Sequence, residues 1–277
     1  MNLQYFGTAA AEAVPAPFCE CPVCQAARQK GGRNVRTRSQ ALVEGRLLLD
    51  FPPDTYLHVL NYGLRLWEVV SVLITHCHSD HIYPGDLWCL TDCAAHRKVE
   101  RPFHLYGSAP TLELIRRQCE DIAAIEKRGA LELHLVTVFQ PFTVEGFRVT
   151  PLRADHGAPD SFVYMLEKEG KAMLYAHDTG LLPQESMDYL EKADVHFDLV
   201  SYDCTNGLLT TNNRGHMGLD GDIQLREALA GMGRVTGKTL HVVNHFSHNG
   251  QAGYDELVPL AEEKGFQVSY DGMSIDF

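Results

Sequence analysis

The stretch Thr75-His76-Cys77-His78-Ser79-Asp80-His81 constrains this chain more than any other. Three His and one Asp fall within six residues, directly after the apolar run Val69-Val70-Ser71-Val72-Leu73-Ile74. A β-branched run without charge reads as a strand buried on both faces. Such a strand, ending in such a cluster, delivers its donors to the rim of a sheet. Imidazole together with carboxylate suits zinc, iron or manganese. The spacing predicts a metal site.

The rest of the chain sets the frame for it. Its 277 residues can bury a large core, and no linker, low-complexity run or fixed-period repeat divides them, which predicts a single domain over 1–277. A formal charge of −12 argues against a general nucleic-acid binder, although Arg33, Arg36 and Arg38 form a local basic group. No apolar stretch approaches the roughly 20 residues that span a bilayer, so no membrane partner is expected. Met1 to Gly7 lacks the basic and apolar regions of a signal peptide, which points to the cytoplasm. In that compartment the eight Cys are expected as thiols and metal ligands rather than disulfides.

Three of those thiols are close together, in Phe18-Cys19-Glu20-Cys21-Pro22-Val23-Cys24. A C-x-C-x-x-C knot supplies three thiolates of a tetrahedral zinc site, and the fourth ligand must come from elsewhere. Residues 18–30 are therefore expected to form a zinc-binding loop. Around it the pattern predicts a short first strand at Leu3 to Phe6 and a hairpin from Gln40 to Asp50. A helix follows from Asp54 to about Leu66, then another from Pro84 to about Arg97 and a long one from Ser108 to about Arg128. Leu112, Ile115, Cys119, Ile122 and Ile125 stand three and four apart and form one apolar stripe on the last of these. From Leu131 onward the chain reads as hairpins and then as alternating strands and helices. His156, Asp178 and His245 each follow a strand candidate, as His76 does. The mixture predicts an α/β fold of two packed sheets with helices outside and a site along one shared edge.

The ligand order H-x-H-x-D-H, a His, an Asp after a strand and a late His resembles the metallo-β-lactamase superfamily. That resemblance implies an αββα sandwich of two mixed sheets flanked by helices, with two divalent metals (Zn, Mn or Fe). It implies one metal on His76, His78 and His156, another on Asp80, His81 and His245, and Asp178 bridging the pair. Asp50 then matches the acid that orients a ligand from behind. One departure is visible: three residues, Ile82-Tyr83-Pro84, separate His81 from Gly85 where two are common.

A narrower resemblance is to the PhnP group of that superfamily. It rests on Gly7-Thr8, the small-residue segment to Val14-Pro15, the Cys knot followed by Ala27-Arg28, and the ending Tyr270-Asp271-Gly272-Met273. It implies a structural zinc on Cys19, Cys21, Cys24 and His248, and catalysis by Asp80, Asp178 and His216, the last as general acid. It further implies a phosphodiesterase that opens a small cyclic ribose phosphodiester by a metal-bridging hydroxide, as in phosphonate breakdown. The segment after Gly7-Thr8 is mostly Ala where that group has Gly, which changes how backbone amides meet phosphate. Arg153 and Arg214 are candidates for a second phosphate.

Four other readings stand beside this one: a lactone or thioester hydrolase of the same fold, an RNA-processing phosphodiesterase, an oxidative single-iron protein like the pyrroloquinoline-biosynthesis branch with the same knot, and a non-catalytic metal-binding scaffold. The acidic charge and the absence of an evident tRNA-binding arm disfavour RNA as the main partner. Whether the chain forms a homodimer is left open.

Overall fold

A computed structural model describes residues 1–96 and 101–277. The elements run β1 (Asn2–Gly7), α1 (Pro22–Lys30), β2 (Gln40–Val43), β3 (Leu47–Leu49), α2 (Thr55–Tyr62), β4 (Ser71–Leu73), β5 (Phe103–Gly107), α3 (Ala109–Gln118) and α4 (Ile122–Lys127). They continue through β6 (Leu131–Leu135), β7 (Phe142–Val144), β8 (Phe147–Arg153), β9 (Phe162–Lys168), β10 (Lys171–Ala176), α5 (Gln184–Lys192) and β11 (Leu199–Asp203). The last are α6 (Leu219–Gly231), β12 (Leu240–Asn244), α7 (Tyr254–Glu263), β13 (Gln267–Val268) and β14 (Ser274–Asp276).

Two seven-stranded sheets result, in the orders β14-β1-β2-β3-β4-β5-β6 and β13-β12-β11-β10-β9-β8-β7. Both are mixed. In the first, β1, β2 and β3 pair antiparallel and β3 to β6 parallel. In the second, β7 to β10 pair antiparallel and β10 to β13 parallel. The apolar runs are continuous because each sheet is covered on both faces. Leu47, Leu49 and Leu73 enter the core between the sheets, where they meet Met173 and Tyr175. Leu48, Val72 and Ile74 face the other way, onto Leu112 and Ile115 of α3 and Ile125 of α4. Ala172, Leu174 and Ala176 likewise turn toward Leu190 of α5, Leu225 and Leu229 of α6 and Leu257 of α7. The αββα sandwich expected from the sequence is what forms.

Three expected helices are corrected. The one through Leu66 stops at Tyr62, because Gly63 adopts a left-handed cap with φ 70°. Pro84–Leu90 is a 3-10 segment rather than an α-helix, and the expected end at Arg97 lies outside the described residues. The long helix to Arg128 breaks at Cys119 into α3 and α4, yet its apolar stripe still points inward as one face. Residues 18–30 are less a loop than expected, since Pro22–Lys30 is helical with Cys21 as its N-cap.

Candidate metal centre

The strands β4, β10, β11 and β12 run parallel within their sheets, so their C-terminal ends gather on one edge of the sandwich. That is where α/β sheets present ligand-binding groups. Asp50, just after β3, fastens the first of these ends. Its Oδ1 accepts from the Thr75 amide (2.8 Å) and the Thr75 hydroxyl (3.0 Å), tying the end of β3 to the loop after β4. Its Oδ2 lies 2.7 Å from Nδ1 of His81, which directs Nε2 of that ring inward.

His76, His78, His156 and Asp178 bring donor atoms within 4.8 Å of one another, and so do Asp80, His81, Asp178 and His245. Asp178 belongs to both sets. Its Oδ2 lies 3.0 Å from His76 Nε2, 3.1 Å from His81 Nε2 and 4.0 Å from His245 Nε2, and its Oδ1 lies 3.3 Å from His156 Nδ1. His81 Nε2 is also 3.1 Å from Asp80 Oδ2. Several of these groups are buried without a hydrogen-bond partner: His81 Nε2, His245 Nε2 and Asp178 Oδ1. Buried polar atoms are rarely left so, and lone pairs aimed at one point are what a bound cation would satisfy. The donor set, imidazole nitrogen with carboxylate oxygen, fits divalent metal ions such as zinc.

The backbone at these positions is unusual. Asp178 (φ 53°), His245 (φ 62°) and Asp50 (φ 65°) are all left-handed, a region in which Asp and His are better tolerated than most side chains. Electrostatics follow the packing. Burial works against the Asp178 carboxylate, yet His245 and His76 hold it well below the usual range. Burial brings His76 down to about 4. Burial also opposes a charged His81, but Asp80 and Asp50 raise it well above its ordinary value.

His216 borders the same space. Its Nδ1 lies 3.2 Å from Asp178 Oδ1 and 3.3 Å from Asp203 Oδ2. Burial disfavours its cation, but Asp203 outweighs that, with help from Asp178 and Asp80, and lifts it to about 9. Asp203, a wholly buried acid, was not singled out by sequence reasoning. It also lies 3.3 Å from His245 Nδ1 and accepts from Thr205 and the Met217 amide. Its only signal was that it closes a strand, as Asp178 and His245 nearly do. His177 points elsewhere, its Nε2 2.6 Å from Ser201 Oγ. Arg153 and Arg214 are already paired, the first with Glu185 and Asp160, the second with both oxygens of Asp155. The cavity over the centre measures about 350 Å³ and is bounded by Ala10, Ala11, Glu12, Asn206, His216 and Ser247.

On the far side of Ser247, Cys19, Cys21, Cys24 and His248 form a second donor cluster. Cys19 Sγ and Cys21 Sγ each lie 3.4 Å from His248 Nδ1. Burial opposes the Cys21 thiolate, but the Cys24 amide and the neighbouring Cys19 and His248 bring it down to about 6. Burial pushes Cys24 up to about 11. Three sulfurs and one imidazole are a structural zinc donor set.

Residues 47–245, which carry the whole edge from β3 to the residue after β12, match the family described as Beta-lactamase superfamily domain. The chain belongs to the beta-lactamase superfamily. Over its full length this superfamily member is 25% identical to coenzyme PQQ synthesis protein B of Methylobacterium nodulans, covering 99% of each chain. It is 31% identical to ribonuclease Z of Anoxybacillus flavithermus over 146 residues, 50% of this chain and 44% of that one. A diphosphatase of the PhnP family has the same fold, with a TM-score of 0.73, 21% identity and coverage of 100% of this chain and 97% of the other. No helix among the described residues of this superfamily member is long and apolar enough to cross a membrane.

Proposed function

We propose that the chain is a metal-dependent phosphodiesterase, a single hydrolase domain over 1–277, that opens a small cyclic ribose phosphodiester. The observation that carries this reading is that buried Asp178 belongs to two donor sets at once, one with His76, His78 and His156, the other, wholly buried, with Asp80, His81 and His245. Two divalent cations held there would supply Lewis-acid charge and lower the pKa of water toward neutrality. The remaining chemistry falls to the chain's own residues. Asp50 holds the outer nitrogen of His81, and the Thr205 hydroxyl (2.8 Å), itself donating to Asp203, holds that of His245, which fixes the tautomers that turn Nε2 inward. With Nδ1 of His216 facing Asp203 and Asp178, Nε2 is the nitrogen left to act on substrate. Water adds to phosphorus and gives up one proton to solvent, one ring P–O bond breaks, and His216 Nε2 gives its proton to the departing oxygen and is reprotonated from solvent. The size of the cavity, about 350 Å³, suits a small molecule. The Cys₃His cluster would hold a structural zinc. A cytoplasmic location goes with this reading, with the cysteines of the cluster acting as zinc ligands.

Full-length similarity to a PQQ synthesis protein favours a second reading, in which the same donors serve cofactor biosynthesis rather than phosphodiester hydrolysis. Ribonuclease Z similarity covers only half the chain, and the −12 charge weighs against RNA. The test is hydrolysis of 5-phosphoribosyl 1,2-cyclic phosphate by manganese-reconstituted protein, followed by phosphorus NMR. Conversion to one phosphomonoester, reduced more than about 100-fold in a folded Asp178→Ala variant, is expected. No conversion by the metal-loaded wild type removes this substrate.

A further inference from the structure

Away from the shared edge, the first sheet carries a third group of metal-type donors. Strands β5 and β6 pair in parallel with His104 opposite Glu132 and Tyr106 opposite His134. Alternation then places His104, Glu132 and His134 on one face of the sheet. Tyr106, between them in this pattern, stacks on the His134 ring at 4.4 Å and 14°, and on Phe142 of β7 at 5.2 Å and 12°. The imidazole is thus held flat against an aromatic pair at the rim of the sandwich, where β6 and β7 are the outermost strands.

The donor atoms converge. His104 Nδ1 lies 3.0 Å from His134 Nε2 and 3.3 Å from Glu132 Oε2, and Glu132 Oε2 lies 3.7 Å from His134 Nε2. Tetrahedral zinc, with bonds of about 2.0–2.1 Å, spaces its donors roughly 3.3–3.4 Å apart. The three separations bracket that value. The side chains are 25%, 52% and 34% exposed for His104, Glu132 and His134, so a cation can enter and one coordination position remains open to water. Glu145, which with Glu132 adds negative charge around Tyr106, accepts a hydrogen bond from Ser71.

We propose that His104, Glu132 and His134 form an accessory site for a zinc-type divalent cation, which clamps the edge strand β6 to β5. The inference stands apart from the proposed function and from the donors at the shared edge. A bare hydrogen-bonded His pair beside a carboxylate is the competing account, and zinc itself separates the two. Wild-type protein, His134→Gln and Glu132→Gln are dialysed against micromolar zinc and their bound metal counted, and zinc-soaked wild-type crystals are examined by anomalous diffraction at the zinc edge. The expected result is one zinc fewer per chain in both variants and an anomalous peak between the three side chains. Equal zinc content, or no peak there while the other donor clusters are filled, overturns the proposal. If His134→Gln does not fold, the half-exposed Glu132→Gln decides the count alone.

Discussion

His58 is a residue whose protonation the fold opposes, and it lies behind the candidate centre rather than in it. It is fully buried, with Nδ1 2.6 Å from Gln40 Oε1 and Nε2 2.8 Å from Thr37 Oγ1. Gln40 donates its amide to the Asp50 carbonyl, so the His58 contact supports the acid that orients His81. Burial brings His58 down to about 3. Between that value and about 6.5 the unfolded chain binds a proton that the folded chain refuses, so stability falls as pH drops through this window. One such group contributes a slope of up to about 1.4 kcal/mol per pH unit. His58→Asn, followed by urea unfolding at pH 7 and pH 5, is expected to be less stable at pH 7 and to lose less on acidification than the wild type. An equal loss would show that His58 does not set the acid limb. At this scale the sequence was readable where ligand types repeat at fixed spacing, as in His76 to His81 or Cys19 to Cys24. Asp203 escaped because a lone strand-ending acid has no partner nearby in sequence; His216 and His245 reach it only through the fold.

Loops at the strand ends are packed against one another as tightly as the strands are. A Cβ on Gly180 would lie 2.4 Å from the Asn213 carbonyl oxygen and 2.8 Å from the Gly215 amide nitrogen. Both belong to the segment that precedes His216, and neither is a flexible side-chain end. Gly180→Ala is therefore expected to displace that segment, and a shift near 1 Å is enough to cost on the order of 100-fold in rate. The expected outcome is a large fall in kcat with bound metal and far-UV circular dichroism retained; unchanged kcat would show that His216 is not positioned through this contact. Elements of this kind were legible in the sequence where a face repeats. The stripe on α3 and α4 is the clearest example. Element lengths were less so. Gly63 ends α2 early by adopting φ 70°, and the apolar stripe through Cys119 continues across a break that periodicity cannot reveal, since both short helices bury the same face.

At the scale of the whole molecule, the Cys₃His cluster joins parts of the chain 229 residues apart. It fastens α1 and the segment before it to the turn that follows His245. Glu12 extends the tie: it accepts from Ser247, lies 3.6 Å from His248 Nε2 and borders the cavity. Cys24→Ser is expected to remove one equivalent of zinc. If only ~3 kcal/mol of the cluster's contribution is lost, Tm falls by roughly 6 °C. Calorimetry on zinc-loaded samples checks it, and an unaltered Tm with zinc lost would reduce the cluster to a passenger. The site-forming donors are also spread along the chain, and that has a consequence during synthesis. His76 and His245 stand 169 positions apart: the set of His76, His78, His156 and Asp178 is complete once Asp178 has been made, whereas the set of Asp80, His81, Asp178 and His245 waits for the residue after β12. At typical elongation speeds about 10 to 30 s separate the first donor from the last. For the last part of that interval the nascent chain carries one complete donor set and one that lacks His245. A centre built on both sets can therefore fill completely only after His245 has been made, one set becoming available ahead of the other.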